Sequence, residues 1–155
     1  RPLEMMIGKI LPYVLIGYLQ VSVVFGAARL LFGVPMAGSV PMLSATVLLF
    51  IVATLAVGFT FSTIARSQMQ SMQMTMFYFL PNILLSGFMF PFRGMPRWAQ
   101  AIGELLPLTH FLRIVRGIML KGAGWPEIAP EAAAIGAFLA VVGTIALLRY
   151  RQTID

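Results

Sequence analysis

Apolar residues are gathered into four long runs, separated by charged residues and by glycine- or proline-containing turns. A helix needs about 20 apolar residues to cross the hydrocarbon core of a bilayer. The runs that meet or approach this length cover residues 10–32, 42–65, 69–90 and 132–148. The pattern therefore predicts an all-α integral membrane protein with four transmembrane helices at these positions.

The segment 91–130 has a different pattern, because basic residues are interspersed with leucine, isoleucine, phenylalanine and tryptophan. Residues 96–105 predict a short amphipathic helix, and Pro107 stands where the first turn of a second helix tolerates proline. In that second helix apolar residues recur at helical spacing, while Arg113 and Arg116 share the opposite face. We expect an interfacial or re-entrant helical pair before the last span. A packed amphipathic loop helix without membrane contact remains the alternative.

A polar stripe runs along the third apolar run, which contains no charged residue. It consists of Ser71, Thr75, Tyr78, Asn82 and Ser86, whose spacing of three or four places them on one helix face. Lipid cannot satisfy these polar groups, so the stripe should face protein or a water-filled path. Two roles remain open for the stripe. One is hydrogen bonding between helices or within a dimer seam, and the other is lining a translocation path.

Three further positions carry specific expectations. Pro81 lies inside the third run and predicts a kink, because proline removes a backbone donor. Arg29, near the end of the first run, is expected to extend its guanidinium to the interface, with substrate contact as the alternative. Glu104 is expected to pair with Arg113 or Arg116 across the break at Pro107.

Composition supports the membrane assignment. Hydrophobic residues make up 59% of the chain and charged residues only 10%, whereas soluble domains carry about 25% charged residues. The net charge of +6 comes mainly from basic residues at the ends of apolar runs, as in membrane proteins. No basic run is interleaved with exposed aromatics, so nucleic acid is not an expected partner.

Catalytic and metal chemistry have little support in the sequence. The chain has no cysteine, and its single histidine, His110, excludes a multi-histidine metal cluster and is expected to be structural or interfacial. There is no G-x-x-x-x-G-K-[ST] loop, nucleophile elbow or zinc motif. We therefore expect no catalytic residues, no metal site and no directly bound cofactor. The chain begins at Arg1 without a signal-peptide pattern, and we expect it to be part of a longer protein.

Several stretches taken in order resemble the type-2 ATP-binding-cassette (ABC) permease family. They are RPLE at 1–4, GKILPY at 8–13, FSTIARSQ at 61–68, LSGFMFP at 85–91, MP at 95–96, LPLTHF at 106–111 and RGI at 116–118. The resemblance covers nearly the whole chain. The stretches in this order are strong evidence for the family, although any one of them alone would be weak evidence.

The resemblance implies a permease subunit of an ATP-driven exporter in the bacterial inner membrane. Such permeases typically have six spans and work as homo- or heterodimers with two cytoplasmic ABC ATPase subunits. This chain would supply the third to sixth spans, and ATP would be used only by the partner ATPase. The implied substrate is hydrophobic or amphipathic, such as a drug, a lipid or a lipid-linked glycan, moved by alternating access.

The resemblance also implies an orientation, which the nearly even distribution of basic residues leaves open. Residues 1–9, the loop at Arg66 and residues 149–155 would be cytoplasmic, and 91–130 would be extracytoplasmic. Arg1, Glu4, Lys9 and Arg66 would then lie near the ATPase.

Two other classes of function remain possible from the sequence. A gradient-driven carrier or channel usually shows inverted repeats or a membrane-embedded carboxylate, and neither is evident. A membrane scaffold that transports nothing is the other class. Co-purification with an ATPase would distinguish the exporter from both.

Overall fold

The computed structural model is built from α-helices, and it describes the backbone of residues 2–154 and the side chains of residues 4, 5 and 7–149. The helices are α1 (Pro2–Phe32), α2 (Val40–Ile64), α3 (Gln68–Leu85), α4 (Arg97–Glu104), α5 (Pro107–Lys121) and α6 (Trp125–Ile154), with a short 3-10 turn at Phe92–Gly94. The described residues contain no strand, so the predicted all-α class is confirmed.

Within the part of the chain that the structure describes, three helices are long and apolar enough to cross a membrane. They contain the candidate spans Ile7–Phe32, Val40–Ile64 and Trp125–Arg149, with mean hydropathies of 1.8, 2.4 and 2.1. The third predicted span corresponds to α3, which has 18 residues and does not belong to this set. Glutamines in its first two turns lower its hydropathy. The count of four spans therefore stays a prediction.

Several helix boundaries differ from the apolar runs: α1 begins at Pro2 instead of residue 10, α3 ends early, and α6 extends beyond its run at both ends. The run 69–90 is helical only as far as Leu85, because Gly87 adopts a φ of 94°, which a helix cannot continue through. The last helix begins at Trp125, well before the predicted start at 132. Pro126 falls in its first turn, where the missing N–H costs no helical hydrogen bond.

The α2 helix forms the centre of the bundle. It packs mostly against α6 and also contacts α1, α3 and α5. α2 supplies core residues that include Val47, Ile51 and Ala53. Phe50 stacks on Phe111 of α5 with ring centroids 4.3 Å apart. The predicted second amphipathic helix is thus held tightly against the bundle.

The buried face of α5 differs from the one expected from its apolar residues. Thr109, Ile114 and Ile118 are each no more than 1% exposed, and His110 is buried beside them. Phe111 is only half-buried, although it packs against the core. A histidine and a threonine therefore occupy positions that hydrophobicity alone would assign to the surface.

Candidate functional site

The polar stripe of α3 becomes more buried toward the end of the helix. Asn82 and Ser86 are 5% and 4% exposed, Ser71 and Tyr78 are half-buried, and Thr75 is exposed. Ser86 lies just past the helix as its C-cap residue. The stripe therefore faces the protein at its C-terminal end and opens to the surface toward its N-terminal end.

Hydrogen bonds of the stripe are made within its own segment. The Thr75 hydroxyl donates to the carbonyl of Ser71 over 2.9 Å, and Asn82 Nδ2 donates to the carbonyl of Tyr78 over 2.7 Å. Ser86 Oγ accepts from the backbone N–H of Phe88 over 3.3 Å. These bonds lower the cost of placing the stripe in an apolar environment, since Thr75, Asn82 and Ser86 each have a side-chain partner without another helix.

Pro81 lies inside α3, and the helix continues through it from Gln68 to Leu85. One turn earlier, the ring of Tyr78 meets the ring of Phe61 on α2 edge to face, with centroids 6.0 Å apart. The predicted kink at Pro81 stays a prediction. The aromatic contact fixes the middle of α3 against α2, directly before the proline.

A second face of α3 is open and rich in methionine. Met69, Met72 and Met76 are 70%, 69% and 52% exposed, and Phe77 is 81% exposed. With Leu80 and two glutamines these residues line a shallow cavity of about 770 Å³. Methionine side chains adapt to varied apolar partners, so this surface, which we call the methionine face, suits a changing contact.

The residues expected near an ATPase are brought partly together. Lys9 lines a groove of about 520 Å³ whose other wall includes Ser62 and Thr63 near the end of α2. Arg66 follows that end directly and is exposed, and its backbone N–H donates to Gln70 Oε1 over 2.6 Å. Glu4 is exposed on the first turn of α1, and Arg1 lies outside the described residues. Lys9 and Arg66 thus mark one end of the bundle.

Arg29 lies at the other end of α1 and is exposed. It borders an apolar cavity of about 340 Å³ between α1 and α2, lined by residues that include Tyr18, Phe25 and Leu43. The Tyr18 hydroxyl donates to the Ser44 carbonyl across this cavity. An exposed guanidinium beside an apolar groove is compatible with the expected interfacial position.

A charged cluster ties α4, α5 and α6 together, and we call its members Glu104, His110, Arg113 and Glu131 the acid–histidine cluster. Arg113 makes two hydrogen bonds to the Glu104 carboxylate, of 3.0 and 2.8 Å. Its Nη1 also lies 3.3 Å from Glu131 Oε1, and its guanidinium sits 4.9 Å from the ring centroid of Phe92. The expected pairing of Glu104 with Arg113 is confirmed.

His110 is the most buried member of the cluster. Its side chain is 9% exposed, and it makes hydrogen bonds through both ring nitrogens. Arg113 holds the pKa of the Glu104 carboxyl below its usual range, because it donates hydrogen bonds to the ionised form. The Glu104 carboxylate therefore stays ionised into mildly acidic solution.

Glu131 is the member of the acid–histidine cluster that sequence reasoning missed. It lies on α6, separated from His110 by most of α5 and the turn at Gly122. No local spacing connects His110 and Glu131, which are far apart in sequence. From the sequence alone, Glu131 is only a charged residue at the edge of an apolar run. Among the described residues, no group of three or more histidine, cysteine, aspartate or glutamate side chains is arranged to hold a metal ion.

Comparison with known proteins places the chain in a family. A family model described as "ABC-2 type transporter" matches residues 1–120. The chain is 38% identical over 162 residues to the "Inner membrane transport permease YhhJ" of Escherichia coli K12, covering 99% of this chain and 41% of that protein. It is 32% identical over 120 residues to the "Probable multidrug ABC transporter permease YbhS" of the same organism, covering 77% and 32%.

A eukaryotic relative is also similar. The chain is 25% identical over 124 residues to "ABC transporter G family member 20" of Dictyostelium discoideum, covering 80% of this chain and 17% of that protein. The chain thus spans less than half the length of these curated relatives. No solved structure matches. Because the family model covers well over half of its residues, the chain belongs to the ABC-2 type transporter family.

Proposed function

We propose that this chain is the C-terminal part of the membrane-spanning permease subunit of an ATP-driven exporter in the bacterial inner membrane. The observation that carries the proposal is its similarity over 99% of its length to an inner membrane transport permease. The permease pairs with a second permease subunit and with separate cytoplasmic ATPase subunits, which hydrolyse the ATP. Its substrate is a hydrophobic or amphipathic molecule.

Four membrane crossings are supported by how the helix ends are arranged. Arg149 Nη2 on α6 lies 3.4 Å from the Thr63 carbonyl at the end of α2, and Lys9 of α1 lines the groove beside Thr63. The start of α1 and the ends of α2 and α6 therefore lie at one end of the bundle. Glu131, near the start of α6, lies at the other end with α4 and α5.

The chain must consequently return across the bundle between α2 and α6. The helix that makes this passage is α3, since its end meets α4 at the opposite side, where Gly103 approaches the Leu85 carbonyl. At 1.5 Å per residue its 18 residues reach about 27 Å, close to the hydrocarbon thickness. In this topology α4 and α5 form the extracytoplasmic or re-entrant pair, and Lys9 and Arg66 are cytoplasmic.

The translocation path or dimer seam is proposed to follow α3. Ser71 and Thr75, in the more open half of the polar stripe, contribute polar groups to that surface, and the methionine face lies on the other side of α3. Tyr78 stands at the transition, and the buried Asn82 and Ser86 hold the end of the helix in the protomer. Pro81 then supplies the bend that changes between inward- and outward-facing states.

The ATPase contact is proposed to include Arg1, Glu4, Lys9 and Arg66. The experiment is co-purification of the tagged full-length permease with its ATPase, comparing Lys9→Glu and Arg66→Glu with Arg97→Glu at the opposite end. We expect ATPase recovery to fall in the first two variants and to be unchanged in the third. Equal recovery in all three would contradict this contact, and no ATPase recovery with the unmodified protein would contradict the exporter assignment.

Topology is tested by substituted-cysteine labelling of intact cells with a membrane-impermeant reagent. Single cysteines at positions 97 and 123 should be labelled from outside, and one at position 66 only after the cells are opened. Labelling of 97 and 123 only in opened cells would contradict the topology.

A further inference from the structure

His110 and Glu131 lie in a geometry that requires a proton between them. We propose that this pair, inside the acid–histidine cluster, is a proton-binding site whose occupancy fastens α5 to the start of α6. The site does not depend on the proposed translocation path or on the ATPase contact.

One ring nitrogen of His110 has its role fixed by the backbone. Nε2 lies 2.7 Å from the carbonyl oxygen of Glu104, which is the residue that ends α4. A carbonyl oxygen only accepts hydrogen bonds, so Nε2 must carry a hydrogen. In a neutral imidazole only one nitrogen carries a hydrogen, and the other, Nδ1, would then be a bare acceptor.

The other ring nitrogen faces a carboxylate. Nδ1 lies 2.6 Å from Glu131 Oε1, which is a hydrogen-bond distance. An unprotonated Nδ1 and an ionised carboxylate would point two lone pairs at each other over this distance. One proton must therefore lie between them, carried by the imidazole as an imidazolium or by the carboxyl. The His110 side chain is only 9% exposed, so a water molecule has little room to enter between Nδ1 and Oε1.

The charges around the pair favour the imidazolium. Glu104 of α4 and Glu131 of α6 supply two carboxylates, and Arg113 of α5 supplies one cation that reaches both. Glu104 Oε1 is also 3.7 Å from His110 Nε2. The helix α2, which packs on both α5 and α6, contains no charged residue. Adding the proton to His110 balances the two carboxylates, whereas removing it leaves one excess negative charge.

The proton acts on helix packing because its two carriers belong to different helices. His110 is in the first turn of α5, and Glu131 is near the start of α6. Histidine is the side chain whose charge ordinarily changes between about pH 5 and 8. When the proton is absent, the contact between Nδ1 and Oε1 becomes repulsive, so the attachment of α5 to α6 is stronger while the proton is bound.

Replacing the Glu131 carboxylate by an amide tests whether the packing of α5 on α6 depends on the bound proton. In Glu131→Gln, the side-chain NH₂ group can donate to an unprotonated Nδ1 while Nε2 still donates to the Glu104 carbonyl. The hydrogen bond then forms with a neutral imidazole, and no additional proton is needed. Glu127→Gln is the matched control, because Glu127 is an exposed carboxylate on the same helix outside these hydrogen bonds.

The experiment uses ¹⁵N-histidine labelling of the full-length permease in detergent micelles, with the His110 signal identified by its absence from His110→Gln. The thermal unfolding midpoint is measured over the same pH series. We expect His110 to be doubly protonated at the lower pH values. We expect the midpoint to fall as pH rises through the range in which that signal changes. Glu127→Gln should keep this dependence, and Glu131→Gln should lose it.

Two results would overturn the proposal. One is a His110 signal typical of a neutral imidazole, with one bare nitrogen, from pH 5 upward, which can be read from the unmodified protein alone. The other is a fall of the unfolding midpoint through the His110 titration range that is as large in Glu131→Gln as in Glu127→Gln.

Discussion

Gly103 of α4 offers a sharp test of how the end of α3 is held. A Cβ atom built at this position would lie 2.4 Å from the carbonyl oxygen of Leu85 and 2.7 Å from a ring carbon of Phe92. Carbon and oxygen atoms normally approach to about 3.3–3.6 Å, so α4 would have to move away from α3 by about 1 Å. The Phe92 ring can rotate aside, but the Leu85 carbonyl is part of the backbone.

The expected cost follows from two opposing terms. Overpacking of a close contact costs about 1–3 kcal/mol, and alanine gains up to about 1 kcal/mol over glycine in a helix interior. The control Gly136→Ala, on α6, has open space within 4 Å and should show only the gain. Because the gain of alanine over glycine is common to both variants, it cancels in their comparison, and we expect Gly103→Ala to be less stable than Gly136→Ala by about 1–3 kcal/mol.

The measurement is thermal unfolding of both variants in the same detergent. At this chain size each kcal/mol shifts the midpoint by roughly 2–4 °C. A second variant, Phe92→Leu combined with Gly103→Ala, should recover little stability, because the clash with the Leu85 carbonyl remains. Equal midpoints for Gly103→Ala and Gly136→Ala would refute the close approach of α4 to α3.

Two further predictions concern polar groups. Asn82→Leu keeps a similar volume but removes the donor to the Tyr78 carbonyl, and because Asn82 is buried we expect this variant to lower the unfolding midpoint. Thr75 is exposed, so Thr75→Val should instead reduce transport or change substrate preference in reconstituted vesicles while expression persists. Unaltered transport and stability in the double variant would count against a role for the stripe. Glu104, whose pKa is lowered in the folded state, contributes stability that is present above the unfolded-state pKa and is lost as pH falls through the folded-state value. In Glu104→Gln the unfolding midpoint should therefore fall less steeply as pH is lowered. The free energy of unfolding lost is no more than about 1 kcal/mol, because the Glu104–Arg113 pair is partly exposed.

The sequence predicts the long helices well because their signal is local. Apolar runs of sufficient length identify α1, α2 and α6, and the pairing of Glu104 with Arg113 follows from their positions on either side of Pro107. Where the runs and the helices disagree, a backbone property decides: Gly87 ends α3 although apolar residues continue beyond it. Hydrophobicity indicates which segments can lie in lipid, whereas the backbone dihedral angle φ determines where the helix ends.

The candidate site is predicted less completely, because its contacts join distant residues. Helical spacing groups Ser71, Thr75, Tyr78 and Asn82, which all lie within α3, whereas Ser86 lies just past its end. Spacing does not reveal that Asn82 is buried while Thr75 is exposed, since burial depends on which neighbours reach each turn. The partnership of His110 with Glu131 depends on how α5 folds back on α6, and that packing has no signature in either local sequence.

The helix α6 connects two contacts that lie at opposite ends of the bundle. Glu131 meets His110 and Arg113 at one end, and Arg149 meets the Thr63 carbonyl about 27 Å away at the other. No proline interrupts α6 between Glu131 and Arg149, and a fully hydrogen-bonded helix resists compression along its axis. We therefore expect α6 to move along its axis as one rigid helix. An axial shift that breaks either contact displaces the other by the same distance.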